Sequence, residues 1–164
     1  MSSNAGVPSS KESGEIVEAN VIQRVQELTH VSDQTAKWHD AEVVALFEPP
    51  HDSVTFHGIN LLAVGIPVEI KAAQIWYNSG QRGRFYIRKR QHERLLDAGG
   101  AYLFAVYIPK SGHSVRAMAV LPASLVDELL PTGWTTRDRS GEDGYRQLAW
   151  SRVLDPENVE EARR

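Results

Sequence analysis

Residues 101–108, AYLFAVYI, contain no charged side chain. An apolar run of that length, too short for a membrane span and bounded by Gly99-Gly100 and Pro109, reads as a strand buried on both faces. Pro109–Gly112 makes a turn, and Val115–Leu121 is a second apolar strand, so the two form a hairpin. A doubly covered hairpin needs layers above and below it, and the rest of the chain offers them. Val17, Val21, Val25 and Leu28 recur at helical spacing in a helix predicted from Glu15, capped by Ser13. Lys89–Ala98 reads as a helix with Leu95 and Leu96 inward, ended by Gly99-Gly100, and Ala123–Leu130 as a short one. Strand patterns fall at Ser53–Phe56, Leu61–Val64, Pro67–Ala73, Phe85–Ile87 and near Arg146–Leu154. Ala41–Phe47 fits a strand or a short helix and is stopped by Pro49 and Pro50. The order implies an α/β fold, a mixed central β-sheet flanked by helices, and excludes a helical bundle or a β-sandwich.

At 164 residues the chain holds one domain with a real core. Residues 1–13 are small and polar and predict a disordered tail, 14–155 a single domain, and 156–164 a charged tail. Cysteine is absent, which removes disulfides, thiolate catalysis and Cys-ligated metals. No apolar run is long enough to span a membrane, and the first 14 residues lack the apolar region of a signal peptide, so a soluble cytoplasmic protein is expected. Neither the dinucleotide fingerprint nor the phosphate-loop motif occurs, so no nucleotide cofactor is expected.

The net charge of −3 argues against a purely electrostatic nucleic-acid binder, but the charge is uneven. Residues 81–94, QRGRFYIRKRQHER, carry six basic side chains against the single acid Glu93, a balance of +5, while the other residues hold 12 basic and 20 acidic groups, a balance of −8. Five of the six are arginines, suited to bidentate contact with phosphate. Such a run also arises as a plain solvated face.

Chemistry is suggested a little upstream. Glu69 and Lys71, two apart on a strand, project from one face in an apolar setting of Val68, Ile70, Ala72 and Ala73. Asp52 begins the preceding strand pattern; if the two strands are neighbours, the carboxylates of Asp52 and Glu69 converge. With the carbonyl of Ile70 they form the hard oxygen set that Mg²⁺ takes, with Mn²⁺ as a substitute. Lys71 would orient the attacking water or stabilise charge on phosphorus. The same E-x-K triplet also occurs as an ordinary salt-bridged pair on a wet sheet face.

From Asp52 through Tyr107 the chain resembles the PD-(D/E)xK, restriction-endonuclease-like, nuclease superfamily, and within it the small archaeal-type Holliday junction resolvases. The resemblance rests on Asp52, the Glu69–Ile70–Lys71 triplet, and Gln91 in KRQHERLL ahead of AYLFAVYI. It implies an α-β-β-β-α-β core, a Mg²⁺-dependent deoxyribonuclease, and catalytic roles for Asp52, Glu69, Lys71 and Gln91. It also implies a metal-assisting Glu on the first helix, for which Glu18 is preferred over Glu15. The Pro-Asp dipeptide of the superfamily is interrupted here, Pro50-His51-Asp52, and Asp40 in WHDAEVV is the competing ligand.

Arg82, Arg84, Arg88, Lys89, Arg90 and His92 are the expected contacts to DNA, the first two on a Gly- and Arg-rich loop, Asn78–Arg84, expected to be flexible. Trp76 and Tyr77 suit either base stacking or packing. His51 could meet a phosphate or a metal-bound water; the other histidines have no ligand spacing. A junction-cutting enzyme acts symmetrically, which implies a homodimer, with Val120–Leu130 as its expected interface. Two other classes fit the same features: a non-catalytic nucleic-acid-binding module, and a structural domain whose basic face meets an acidic protein.

Overall fold

A computed structural model describes residues 10–32, 39–43, 55–58, 63–135 and 144–161. Asp52, His51 and Trp38, and the residues 1–9 assigned to a tail, lie outside the described residues.

The apolar hairpin is the centre of the molecule. Its strands, β6 (Ala101–Ile108) and β7 (Ser114–Pro122), pair antiparallel with a bulge at Val106/Tyr107. Residues 101–107 are all buried. On the other side of β6 lies β4 (Pro67–Gln74), parallel to it, with Glu69 opposite Tyr102 and Lys71 opposite Phe104. Outward from β4 come β2 (Ala41–Val43) and β1 (Leu28–His30), each antiparallel to its neighbour. At the opposite edge β3 (Thr55–Gly58) runs parallel to β7. The six-stranded order is β1-β2-β4-β6-β7-β3, a mixed sheet.

Helix α1 (Ser10–Arg24) covers one face, burying Val17, Val21 and Val25 against Val68, Ile70, Leu103 and Ala105. The other face carries α2 (Lys89–Asp97), α3 (Ala123–Leu129) and a separate antiparallel ribbon of β5 (Arg84–Arg88) and β8 (Tyr145–Ala149). Phe85, Ile87, Leu95, Phe104, Leu148 and Trp150 fill that second core. This is the expected α/β sheet with helices on its faces.

Several local expectations change. Helix α1 begins at Ser10, so Ser13 is not its cap; it is buried inside the helix with its Oγ 3.1 Å from His113 Nε2, which pins α1 to the β6–β7 turn. The expected charged tail contains α4 (Pro156–Glu161), whose Val159 is buried and whose Glu160 pairs with Arg82 at 2.9 Å. Val64 sits in a turn closed by the Ile66 N–H on the Ala63 carbonyl, not in a strand, and the Gly65 N–H ties that turn to the Val43 carbonyl at 2.7 Å. The loop after β4 is closed rather than slack: Trp76 bridges Arg82, and the Tyr77 N–H donates to the Gln81 carbonyl at 2.7 Å. At Gly83 a Cβ would come 1.9 Å from the Gln74 carbonyl oxygen, so only glycine lets β5 leave so close to β4.

The strand pairing expected for Asp52 fails. The strand after it, β3, lies beside β7, three positions from β4, or about 14 Å at ordinary strand spacing. The neighbours of β4 are β6 and β2, and the residue immediately before β2 is Asp40. Among the described residues no helix is long and apolar enough to cross a membrane.

Candidate active site

Strand β4 places Glu69 and Lys71 on one face, as alternation requires. Lys71 Nζ stands 3.0 Å from Glu69 Oε1 and donates to Gln91 Oε1 at 3.2 Å. Gln91 reaches it from the first turn of α2, which starts where Lys89 was expected to start it. The triplet and the glutamine, far apart in sequence, are thus one cluster.

Asp40 closes the cluster from the other side. Its backbone N–H donates to the Val68 carbonyl at 3.0 Å, and its Oδ2 accepts the Ile70 N–H at 2.9 Å. The shortness of β2, which lies between β1 and β4, explains this: where it stops pairing, a side-chain carboxylate continues the ladder along β4. Glu18, on the middle of α1, hydrogen-bonds Asp40, and the Glu69 charge also acts on it. These groups line a cleft of about 780 Å³, together with Tyr77, Arg84, Tyr86 and Arg88. Glu15 also lines it, but faces solvent near Lys11 Nζ at 3.9 Å.

Burial dominates the electrostatics. Glu69 is 4% exposed, and burial pushes its carboxyl up to about 7, with Lys71 pulling down and the charge of Asp40 pushing up. Glu18 is raised to about 9, first by burial, then by the hydrogen bond and charge of Asp40, then by Glu69, against Lys71. Glu69 Oε2 is buried and accepts no hydrogen bond. Three crowded carboxyls, with one Glu69 oxygen left without a donor, offer hard oxygen atoms of the kind that divalent cations take. They do not form a closed cage: among the described residues no three His, Asp or Glu side chains stand as a ready ligand set.

The basic segment divides on folding. Arg84 and Arg88 are exposed and border the cleft. Lys89 and Arg90 lie in the first turn of α2. Arg82 faces away, paired with Glu160 and lying 5.6 Å over the Trp150 ring. His92 is no surface contact. It is 1% exposed; its Nε2 donates to Asp127 Oδ1 and its Nδ1 is hydrogen-bonded to the Tyr102 hydroxyl, both at 2.8 Å. The reason lies in helical phase: His92 shares the inward face with Leu95, three residues on. Val120, Leu121, Ala123 and Val126, expected at a dimer interface, are buried in the chain's own core, which leaves Leu125 as the exposed large apolar residue of that segment.

Tyr86 was not foreseen. Its signal was the pattern RFYIR, in which Phe85 and Ile87 take the core and turn Arg84, Tyr86 and Arg88 to the other face.

An α/β core with a buried Glu-x-Lys on a central strand, an aspartate beside it and a helix-borne glutamine on the lysine is the arrangement that the resemblance in the sequence implies. The PD-(D/E)XK nuclease superfamily domain matches residues 4–155, nearly the whole length, and the chain belongs to that superfamily. No curated protein matches it.

Proposed function

We propose that the chain is an endonuclease that hydrolyses DNA phosphodiester bonds with Mg²⁺, for which Mn²⁺ can substitute. The observation that carries the reading is the buried Glu69, its Oε2 without a hydrogen bond, beside a lysine held by Gln91 at the base of a cleft bordered by Arg84 and Arg88. Glu69 and Asp40 are the ligands, Glu18 supports them, and the Ile70 carbonyl is the further oxygen; Asp40 thereby takes the place expected of Asp52. A divalent cation in such a site offsets charge on the phosphoryl oxygen and makes bound water more acidic. Lys71, its ammonium directed by Gln91, holds the attacking water or the developing charge on phosphorus. Arg84 and Arg88 bind backbone phosphates, which positions the strand without reading its sequence.

The test is cleavage of matched linear, nicked, flapped and four-way DNA, with Mg²⁺ and with chelator, beside Glu69→Ala, Lys71→Ala, Asp40→Asn and an Asp52→Asn control. Cut products that need the metal, and fall at least a hundredfold in the first three variants, support the reading. DNA binding without cleavage of any substrate would replace it with a non-catalytic binding module. Cleavage lost in Asp52→Asn but kept in Asp40→Asn would return the ligand role to Asp52.

A further inference from the structure

The outward face of the β5–β8 ribbon carries a tyrosine for which the core has no use. Phe85 and Ile87 fill the interior from one side of β5, and Arg84, Tyr86 and Arg88 occupy the other. The Tyr86 ring is backed by Tyr145 on the paired strand, centroids 4.4 Å apart and planes 14° from parallel. It also lines the cleft that holds Glu69 and Lys71. A second ring borders the same cleft: Tyr77 is 39% exposed, and its hydroxyl accepts the Arg84 N–H at 3.0 Å, which fixes the ring at the start of β5.

Phosphate-binding arginines alone would serve a duplex as well as a single strand. Aromatic faces would not. In a duplex the faces of the bases are stacked on one another, and a protein reaches only their edges from the grooves. Tyrosines set among arginines are the arrangement that binds unpaired strands, in which basic groups follow the backbone and rings take the bases. The cleft volume, about 780 Å³, lies in the range of pockets that enclose a small ligand. We infer that the substrate of this site is an unpaired DNA strand, a single-stranded tail or flap, whose bases stack on Tyr86 and Tyr77 while Arg84 and Arg88 hold the flanking phosphates. This rests on the proposed DNA hydrolysis and specifies its substrate. Tyr145 stiffens the platform from behind, so the binding ring loses little freedom when a base settles on it.

The experiment measures equilibrium binding by fluorescence anisotropy in Ca²⁺, without turnover, to a labelled single strand, a blunt duplex of the same sequence, and that duplex with an unpaired tail. The native chain is expected to bind the single strand and the tailed duplex at least tenfold tighter than the blunt duplex. Tyr86→Leu, which keeps apolar bulk against Tyr145 but removes the stacking face, is expected to lose fivefold to a hundredfold on the single strand. Tyr86→Phe is expected to retain the native affinity. Tyr77→Leu provides a second variant, and melting temperature shows that each one is folded. Equal affinity for blunt duplex and single strand, or a Tyr86→Leu loss that is the same on both, overturns the inference while leaving DNA hydrolysis in place. Failure to bind any of the three DNAs overturns both.

Discussion

At the scale of single residues, the two raised carboxyls decide how the protein responds to pH. A glutamate touching a lysine ordinarily ionises more readily; Glu69 does the opposite because burial outweighs Lys71. Both Glu69 and Glu18 hold their protons in the folded state over a range in which the unfolded chain, near 4.5, has released them. The unfolded state then binds fewer protons, so stability falls as pH rises, from about 4.5 through about 7 for Glu69 and through about 9 for Glu18. For Glu69 the effect is on the order of 3 kcal/mol at full ionisation. The metal-free protein is therefore expected to melt at progressively lower temperature between pH 5 and 9. Glu18→Gln should flatten the alkaline part of that profile, and Mg²⁺ should raise the melting temperature more at pH 8.5 than at pH 6, since cation and proton compete for the same oxygens. Thermal scans with EDTA and with Mg²⁺ check this; a flat native profile would contradict it. Lys71→Met removes the downward pull on Glu69, so the Mg²⁺ requirement is expected to increase and any residual cleavage to move to higher pH, as a metal titration at several pH values would show.

At the scale of elements, the site depends on two close fits. Gly83 lets β5 pass within touching distance of β4, and Gly83→Ala drives a methyl into the Gln74 carbonyl. A loss of more than about 2 kcal/mol is expected, read as a lower denaturation midpoint. His92 ties the first turn of α2 to β6 through Tyr102 and to α3 through Asp127. His92→Leu leaves the Tyr102 hydroxyl buried without that partner at a cost of about 1–3 kcal/mol. The same substitution is expected to loosen Gln91 from Lys71, so that turnover falls more than DNA affinity. The helix that holds Gln91 was legible because KRQHERLL starts after a strand pattern and ends at two glycines, and the E-x-K because strand alternation puts its charges together. Asp40 is only the competing ligand in the sequence for a reason equally physical. Periodicity identifies strands but not their neighbours, and Asp52 stood nearer to Glu69 along the chain. Only the strand order, with β2 beside β4 and β3 beside β7, brings Asp40 to Ile70. His92 was hidden by its charged neighbours, although its spacing from Leu95 already gave its direction.

For the whole molecule, the acidic total conceals a basic segment whose members end up on different sides. Arg84 and Arg88 flank the cleft, whereas Arg82 is committed to Glu160 on α4 and to the Trp150 ring, tying the C-terminal helix to the ribbon. Under the proposed function one run of arginines does two jobs, and the salt dependence of DNA binding separates them. Each phosphate contact releases counterions and contributes a slope of about 0.7–0.9 to the fall of log affinity with log salt concentration. Arg84→Ala and Arg88→Ala are each expected to reduce that slope by nearly one and to weaken binding across sequences alike. Arg82→Ala should leave the slope within a few tenths of the native value while lowering the melting temperature, since its loss frees α4 instead of a phosphate. Anisotropy titrations from 50 to 300 mM NaCl, beside thermal scans, make the comparison. An Arg82→Ala slope as shallow as that of Arg84→Ala would mean that the guanidinium leaves Glu160 to meet DNA, and that the bound protein differs from the free one around α4.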